Sequence, residues 1–240
     1  MVLIKKYIKL FKINRFFFKR LSHIILNIFP LYVQCLVCNW RGTKFFNGYC
    51  PICFSQARHR LLAYIQKIII LEPVRKILLI GPGPIEIILF KLFSNSRTKI
   101  LNVKQTDFTD IVCDVTENKI KLNNYDLIIM WHVLEHIVED QKAVENVFNM
   151  LKNGGIFLFS VPIYPLGNKE TYTPKYSSLE DKIHKTGHPD HCICCGYDYP
   201  DRFTNLGFTK LTTISVRDFD QDITSKYGLS MNHIAWIYKK

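Results

Sequence analysis

Thirteen residues, Tyr125–Ile137, constrain the fold of this 240-residue chain more than any other stretch, because their structural period changes at one point. They read YDLIIMWHVLEHI. The continuous apolar run Leu127–Trp131 is rich in β-favouring residues, which predicts a strand buried on both faces of a parallel sheet. This strand is expected to end at His132. The carboxyl end of such a strand is where open α/β sheets bind ligands, so His132 is a candidate site residue.

The residues after His132 predict a helix and then a second strand. Apolar side chains recur at helical spacing between residues 133 and 151, and the run ends at Asn153-Gly154-Gly155. Glycine is typical of a helix end, so we expect the helix to reach this point. The next segment, IFLFSVPI, reads as a buried strand. The whole region is therefore predicted to be a β-α-β unit.

This region resembles the second half of class I S-adenosylmethionine-dependent methyltransferases. The resemblance is carried by Asp126 at the start of the strand, the Leu134-Glu135-His136 turn, the Leu151–Gly155 segment and Pro162 at the end of the next strand. It implies an α/β fold with a Rossmann-like seven-stranded methyltransferase sheet over residues 73–240. S-adenosyl-L-methionine is the cofactor that the resemblance implies.

Four cysteines predict a small zinc ribbon over residues 33–60, followed by a helix to residue 71. Cys35 and Cys38 form one Cys-x-x-Cys pair, and Cys50 and Cys53 form the second after eleven intervening residues. Four thiolates at this spacing suit the closed tetrahedral shell of a structural zinc ion, which contributes folding energy and no direct catalysis. A redox pair and incidental cysteines are the alternatives.

The segment after the ribbon extends the resemblance. A zinc ribbon, then Arg58-His59-Arg60-Leu61-Leu62, then this methyltransferase core resembles a bacterial group of zinc-ribbon-containing methyltransferases over roughly residues 33–215. Arg58 and Arg60 could receive an anionic group at a helix amino terminus or pair with carboxylates of the core.

The net charge of +12 is concentrated at the amino-terminal end. No Asp or Glu precedes Glu72, whereas twelve Lys and Arg do, and the rest of the chain has 20 residues of each sign. Lysines and Arg15 recur on one side of a helix predicted over residues 1–30, which suits an anionic membrane surface contacted by residues 1–29. There are two alternatives. The helix packs on the catalytic domain, or the abundance of Lys, Ile and Asn reflects the composition of the genome.

The Gly-containing turn after the first predicted strand is expected to approach the cofactor. Gly81 and Gly83 stand in the segment RKILLIGPGPIEIILF, and glycines permit close backbone approach to a ligand. In the resembling family this loop surrounds the methionine part of the cofactor. The chain departs from the family pattern at Leu79, where an acid is usual, and at Ile85, where a third Gly is usual.

Further positions of the predicted cofactor site follow from the resemblance. The family places an acid on the ribose at the end of the second strand, where this chain has Asn102, Lys104 and Gln105, so Asp107 is the nearest carboxylate. Asp114 matches the position that meets the adenine amino group. The predicted cofactor-binding residues are Gly81, Gly83, Asp107, Asp114, Val115, Trp131 and His132.

An insertion over residues 163–200 is predicted to hold the methyl acceptor. It is rich in turn-forming residues, His, Tyr and Asp, as a loop over the carboxyl edge of a sheet would be. Thr171-Tyr172 and Asp190-His191 match its start and end in the resembling group. The predicted catalytic residues are His132, Asp190 and His191, with His132 deprotonating the acceptor hydroxyl of a small molecule or glycan.

Several alternatives stay open. His132-x-x-Glu135-His136 also fits an inverted zinc-protease pattern, and it is similar to a Glu-x-x-Glu-His cluster through which some methyltransferases bind a divalent ion. RNA is a less favoured acceptor, since no Asn/Asp-Pro-Pro-aromatic turn follows the strand. The departures from the cofactor pattern would suit an inactive scaffold.

The compartment follows from the cysteines and from hydropathy. The eight cysteines do not suggest a disulfide framework, and no convincing cleavable signal precedes them. Lys19 and Arg20 interrupt the most apolar amino-terminal run, so a membrane-spanning helix is not expected. We therefore expect a cytoplasmic protein that could lie at the membrane periphery. Cys192, Cys194 and Cys195 fit no common metal-binding spacing.

Overall fold

The computed structural model describes residues 32–68, 74–92, 96–118 and 120–240. The basic leader helix predicted over residues 1–30 lies outside these ranges. The chain divides into two compact units, Met1–Leu71 with Asp218–Met231, and Glu72–Arg217 with Asn232–Lys240. We had expected residues 73–240 to form one domain, so the division of the chain differs at Asp218–Met231.

The described part of the first unit contains the cysteine-rich segment and two helices. Strands β1 (Val33–Gln34) and β2 (Arg41–Gly42) pair antiparallel, and helix α1 spans Ala57–Ile68. A short helix, Gln221–Tyr227, belongs to the same unit and has no counterpart among the sequence predictions.

Arg60 on α1 has a structural role that differs from both expectations. Its side chain is buried, with the guanidinium over the ring of Phe45 at 3.8 Å. It donates hydrogen bonds to backbone carbonyl oxygens of Gly48, Ser55, Tyr227 and Gly228. Carbonyl oxygens thus take the place of the expected carboxylate or external anion, and they accept the hydrogen bonds of the buried guanidinium.

The second unit is built on a seven-stranded mixed sheet. Its strands lie in the order β5-β4-β3-β6-β7-β9-β8. Strand β9 is antiparallel to both of its neighbours, β7 and β8, and all the other neighbouring pairs are parallel. The strands are β3 (Lys76–Ile80), β4 (Arg97–Asn102), β5 (Ile111–Val112), β6 (Tyr125–Trp131), β7 (Leu151–Ser160), β8 (Thr209–Ser215) and β9 (Ile234–Lys239). The predicted α/β class and seven-stranded sheet are confirmed.

The apolar runs explain the centre of the sheet. Strand β6 lies between β3 and β7, and residues 127–131 are buried. Strand β7 buries Phe157, Leu158 and Phe159, and the ring of Phe159 stacks on that of Trp236 with centroids 5.3 Å apart. Strands covered on both faces need apolar side chains at successive positions, which is why the periodicity of 2 disappears here.

The helices between the strands are shorter than predicted. Helix α2 (Pro84–Ile87) continues as a π-helical segment, Ile88–Leu92, and helix α3 spans Asp140–Met150. A 3₁₀ turn, Leu134–His136, separates β6 from α3, so the helix expected soon after His132 begins only at Asp140.

The predicted helix end at Asn153-Gly154-Gly155 is also wrong, because β7 already begins at Leu151. The pairing of β6 and β7 shifts register between Tyr125 and Leu127. A Cβ at Gly155 would lie 2.9 Å from the carbonyl oxygens of Lys152 and Tyr125. The glycine therefore permits a bulge with close backbone approach inside a strand, which from sequence looks like a helix-ending turn.

The insertion after β7 has structure of its own. Helix α4 spans Leu179–Thr186, and residues Tyr172 and Cys194 form an antiparallel bridge. The segment Tyr199–Leu206 is a 3₁₀ helix before Gly207. None of the helices within the described residues has the length and apolar character needed to cross a bilayer.

Candidate functional site

A cavity of about 420 Å³ opens at the carboxyl ends of β3, β4 and β6 in the second unit. Its wall includes Gly81 after β3, Asn102 at the end of β4 and Val133 after β6. From β3 the chain runs outward to β4 and β5 on one side of the sheet. It then crosses over to β6 on the other side of β3. Such a switch point creates a crevice for a ligand at the carboxyl edge of a sheet.

Gly81 shapes the floor of this cavity. Its φ of +60° lies in the left-handed region, and a Cβ there would lie 3.1 Å from a methyl carbon of Val133. A larger residue would thus strain the backbone and crowd the wall. The predicted partner Gly83 caps the start of α2 and is not part of the cavity wall that we identify.

Asp114 and Val115 also line the cavity, together with Asn102 from the neighbouring strand. Oδ1 of Asp114 accepts hydrogen bonds from the backbone N–H and the hydroxyl of Thr116, at 2.9 and 2.8 Å. These two bonds fix the carboxylate in a tight turn at the rim. The carboxylate of Asp114 and the side-chain carbonyl of Asn102 can both accept hydrogen bonds, which suits a ligand that carries N–H or O–H donors.

The structure does not bring every predicted cofactor residue to this cavity. Asp107 is exposed in the loop after β4 and does not line the cavity. Asn102 lines the wall at the end of β4, where the resembling family has its ribose-binding acid. Trp131 is buried in β6, and neither Trp131 nor His132 lines the cavity.

Beside the cavity, three histidines surround the carboxylate of Glu135, whose side chain is 0% exposed. Oε1 of Glu135 lies 3.5 Å from Nδ1 of His132, 3.9 Å from Nε2 of His136 and 4.0 Å from Nε2 of His191. His136 also lines the cavity, so the histidine cluster (His132, Glu135, His136 and His191) borders it directly.

Backbone hydrogen bonds hold the end of the insertion against the turn after β6. The amide N–H groups of Cys192 and Ile193 both donate to the carbonyl oxygen of Glu135, at 2.7 and 3.3 Å. This pairing places His191 beside the Glu135 carboxylate across 56 residues of sequence. Two of the predicted catalytic residues, His132 and His191, thereby share the Glu135 carboxylate as a neighbour.

The orientation of the imidazoles is set by backbone carbonyls. Nδ1 of His136 lies 3.2 Å from the carbonyl oxygen of Asp190, and Nδ1 of His191 lies 3.0 Å from that of Thr186. Asp190 therefore contributes its main chain, while its carboxylate is exposed. Burial lowers the pKa of His191 below the usual imidazole value, although the Thr186 bond and the Glu135 carboxylate oppose this effect.

His132 has an unusual backbone at the end of β6. Its φ of +56° lies in the left-handed region, and its N–H donates to the carbonyl oxygen of Ser160 at 2.9 Å. Its ring meets that of His233 edge-on, with centroids 5.9 Å apart. Strain of this kind in a residue other than glycine clusters at functional sites.

Glu135 and His136 were not among the predicted catalytic residues. Their i, i+3 and i+4 spacing with His132 was visible in the sequence, but His191 is distant along the chain. Only the fold shows that Glu135 is the shared neighbour. Within the described residues, the potential metal-binding groups include none of Cys192, Cys194 and Cys195.

The four cysteines of the first unit form a separate cluster. Cys35 and Cys53 have their Sγ atoms 3.6 Å apart, as do Cys38 and Cys50, and all four sulfurs lie within 4.8 Å of one another. A zinc ion bound at 2.3 Å in a tetrahedron separates its sulfurs by about 3.8 Å. The geometry therefore fits a four-thiolate metal site.

The comparisons with known proteins agree with this architecture. Residues 37–211 match the sequence family described as "Methyltransferase domain". Among solved structures, coclaurine N-methyltransferase bound to N-methylheliamine and SAH shares 9% identity at a TM-score of 0.57, over 82% of this chain and 76% of that chain. No functionally curated protein matches the chain significantly.

Two other solved structures have similar scores. A SAM dependent methyltransferase from Archaeoglobus fulgidus shares 16% identity at a TM-score of 0.51, over 77% of this chain and 95% of that chain. The [4+2]-cyclase SpnF shares 13% identity at a TM-score of 0.51, over 76% and 80%. At these identities the likeness concerns the fold, which supports more than one chemistry.

Proposed function

The chain belongs to the methyltransferase domain family, and from that premise we propose that it transfers the methyl group of S-adenosylmethionine to a hydroxyl of a small-molecule or glycan acceptor. The observation that carries the proposal is the cavity of about 420 Å³ at the carboxyl ends of β3, β4 and β6. Its size lies in the range of small-molecule sites, and its place is the usual ligand crevice of open α/β sheets.

The residues of the wall suit the parts of this cofactor. Gly81 lets the backbone approach the methionine part, since no side chain intervenes. The amide of Asn102 can both donate to and accept from ribose hydroxyls. The carboxylate of Asp114 can accept a hydrogen bond from the adenine amino group, and Val115 supplies apolar contact to the ring.

We assign the proton transfer to His132. The acceptor hydroxyl attacks the methyl carbon in line, so the O–C bond forms while the S–C bond breaks and S-adenosylhomocysteine leaves. Nδ1 of His132 lies 3.5 Å from the Glu135 carboxylate, which orients the ring, and the imidazole is assigned to take the hydroxyl proton. A positioned histidine base contributes roughly 10²- to 10⁴-fold to rate, beside the larger effect of proximity.

The acceptor is assigned to the insertion of residues 163–200, which reaches the histidine cluster through His191. The four-cysteine cluster is proposed to hold one structural zinc ion, since a closed shell of four thiolates leaves no position for a substrate. The basic leader, residues 1–29, is proposed to contact an anionic membrane surface.

The first experiment measures cofactor binding by isothermal titration calorimetry with S-adenosylmethionine. Asp114→Asn replaces an acceptor oxygen by a donor and should weaken binding by about tenfold, since a hydrogen bond to a charged group contributes about 1.5 kcal/mol or more. Asp107→Asn is the matched control outside the cavity and should bind like the wild type. No binding by the wild type would favour an inactive scaffold and refute the proposal.

The second experiment follows transfer of a labelled methyl group to sugar, lipid-linked sugar and RNA acceptors. His132→Asn suits the left-handed backbone and removes the base, so it should bind the cofactor normally and lose at least about 100-fold in turnover. His184→Asn, on the exposed face of α4, is the control. Transfer to RNA alone, or normal turnover by His132→Asn, would contradict the assignment.

A further inference from the structure

The histidine cluster has the ligand atoms of a metal centre outside the four-cysteine site. The ligand atoms of Glu135, His136 and His191 all lie within 4.8 Å of one another. Both Nε2 atoms are 3.9–4.0 Å from Oε1 of Glu135. A zinc ion bound at 2.0–2.1 Å in a tetrahedron needs ligand atoms about 3.3 Å apart. Small side-chain rotations would therefore bring these atoms to bonding distance.

The hydrogen bonds of the two imidazoles point to the same conclusion. A carbonyl oxygen can only accept, so Nδ1 of His136 must carry the proton that Asp190 accepts, and Nδ1 of His191 the proton that Thr186 accepts. In the neutral ring the lone pair is then on Nε2, the atom that faces Glu135. Metal-bound histidines almost always donate their other N–H to a carbonyl or carboxylate in this way.

The burial of the cluster is compatible with a bound cation. The side chain of Glu135 has no exposed surface, and ion pairs or a bound metal are what stabilise a buried carboxylate.

From these observations we propose that Glu135, His136 and His191 bind a divalent transition-metal ion at the border of the cofactor cavity. Imidazole nitrogens suit zinc, iron, cobalt or nickel, whereas magnesium and calcium take oxygen ligands. Three protein ligands leave a coordination position open, as in catalytic sites. His136 also lines the cavity, so the ion lies next to the place of the reaction.

The ion's role rests on the proposed function. Bound to the acceptor oxygen at the open position, it acts as a Lewis acid and lowers the pKa of that hydroxyl. The proton passes to His132, the oxygen bonds to the methyl carbon, and the S–C bond breaks as before. The acceptor class is thus narrowed to molecules with a hydroxyl that can coordinate a metal, such as a sugar with neighbouring hydroxyls.

The test is a Co²⁺ titration of metal-free, full-length protein without S-adenosylmethionine. The four-thiolate site has intense sulfur-to-cobalt charge-transfer bands, whereas a carboxylate–imidazole site has only weak d–d bands. The wild type should bind two equivalents of Co²⁺, one with each signature. His191→Ala should retain the thiolate signature and bind the second equivalent at least about 100-fold more weakly, because even a second-shell change costs 10- to 100-fold.

Two variants complete the design. His184→Ala, a histidine outside the cluster, should bind both equivalents like the wild type. Glu135→Gln keeps the size of the side chain and should also lose the second equivalent, with circular dichroism reporting whether the fold is intact. One equivalent in the wild type, or an unchanged second equivalent in both His191→Ala and Glu135→Gln, would overturn the metal site.

The outcome is independent of the cofactor experiment. A protein that binds S-adenosylmethionine but only one Co²⁺ would retain the proposed methyl transfer and refute the second metal. A protein that binds two Co²⁺ ions but no S-adenosylmethionine would refute methyl transfer and keep the site. Loss of sugar methylation by a chelator, with the thiolate metal still bound, would support the role of the ion.

Discussion

Replacing Arg202 by methionine should destabilise the second unit by about 3 kcal/mol, the lower end of the cost of breaking a buried ion pair. The guanidinium donates from Nε to Oδ2 of Asp140 at 2.7 Å and from a terminal nitrogen to Oδ1 at 2.6 Å. Asp140 is only 1% exposed, so the variant leaves a carboxylate buried without its cation.

The lower end of the range is appropriate because other donors remain. The hydroxyl of Tyr199 donates to Oδ2 of Asp140 at 3.0 Å, and the backbone N–H of Gln141 donates to Oδ1 at 2.9 Å. The side chain of Arg202 is also 26% exposed, so water screens part of the attraction. The hydrogen bond from Arg202 nonetheless ties the 3₁₀ segment after the insertion to the start of α3.

Scanning calorimetry of the full chain would measure the effect. At 2–4 °C per kcal/mol for a unit of this size, about 3 kcal/mol lowers its Tm by about 6–12 °C. Arg97→Met removes an exposed arginine and should change stability by less than about 0.5 kcal/mol. In a double-mutant cycle, Asp140→Asn should offset part of the loss. A melt of Arg202→Met near the wild type, or strictly additive variants, would refute the reasoning.

Two further predictions concern the amino-terminal third. Cys50→Ser should lower the zinc content from about one ion per chain to near zero and destabilise the first unit, because metal binding is coupled to folding. Metal analysis that finds no zinc in carefully prepared wild-type protein would contradict this prediction. Deletion of residues 1–29 should abolish salt-sensitive adsorption to anionic vesicles, since each basic residue near the membrane surface contributes roughly 1 kcal/mol. If the full and the shortened chains sediment equally with the vesicles, the leader packs on the protein instead.

The sheet could be predicted from sequence because its signals are local. The apolar run Leu127–Trp131 and the segment IFLFSVPI form neighbouring buried strands, β6 and β7. Buried strands need apolar residues at every position, so the pattern is readable without knowing the partners. The predicted end of the helix after His132 was wrong because a glycine in a strand looks like a helix end in the sequence. Gly155 lies in β7, where a side chain would collide with neighbouring backbone carbonyls.

The site was only partly predictable because its chemistry depends on distant contacts. Gly81, Asp114 and Val115 were selected by resemblance, and they lie together on one cavity wall. No local pattern could indicate that His191 meets Glu135, because that contact depends on how the insertion returns to the sheet. The placement of Asp218–Met231 with the first unit is a similar long-range effect.

The backbone pairing of the insertion does not depend on most of its side chains. Two main-chain anchors hold it: Tyr172 pairs with Cys194, and the amides of Cys192 and Ile193 donate to the carbonyl of Glu135. Main-chain bonds tolerate most changes of side chain. Under the proposed function, residues 173–189, including helix α4, can therefore diverge to suit new acceptors while His191 stays beside Glu135. Acceptor range and chemical step would then evolve separately.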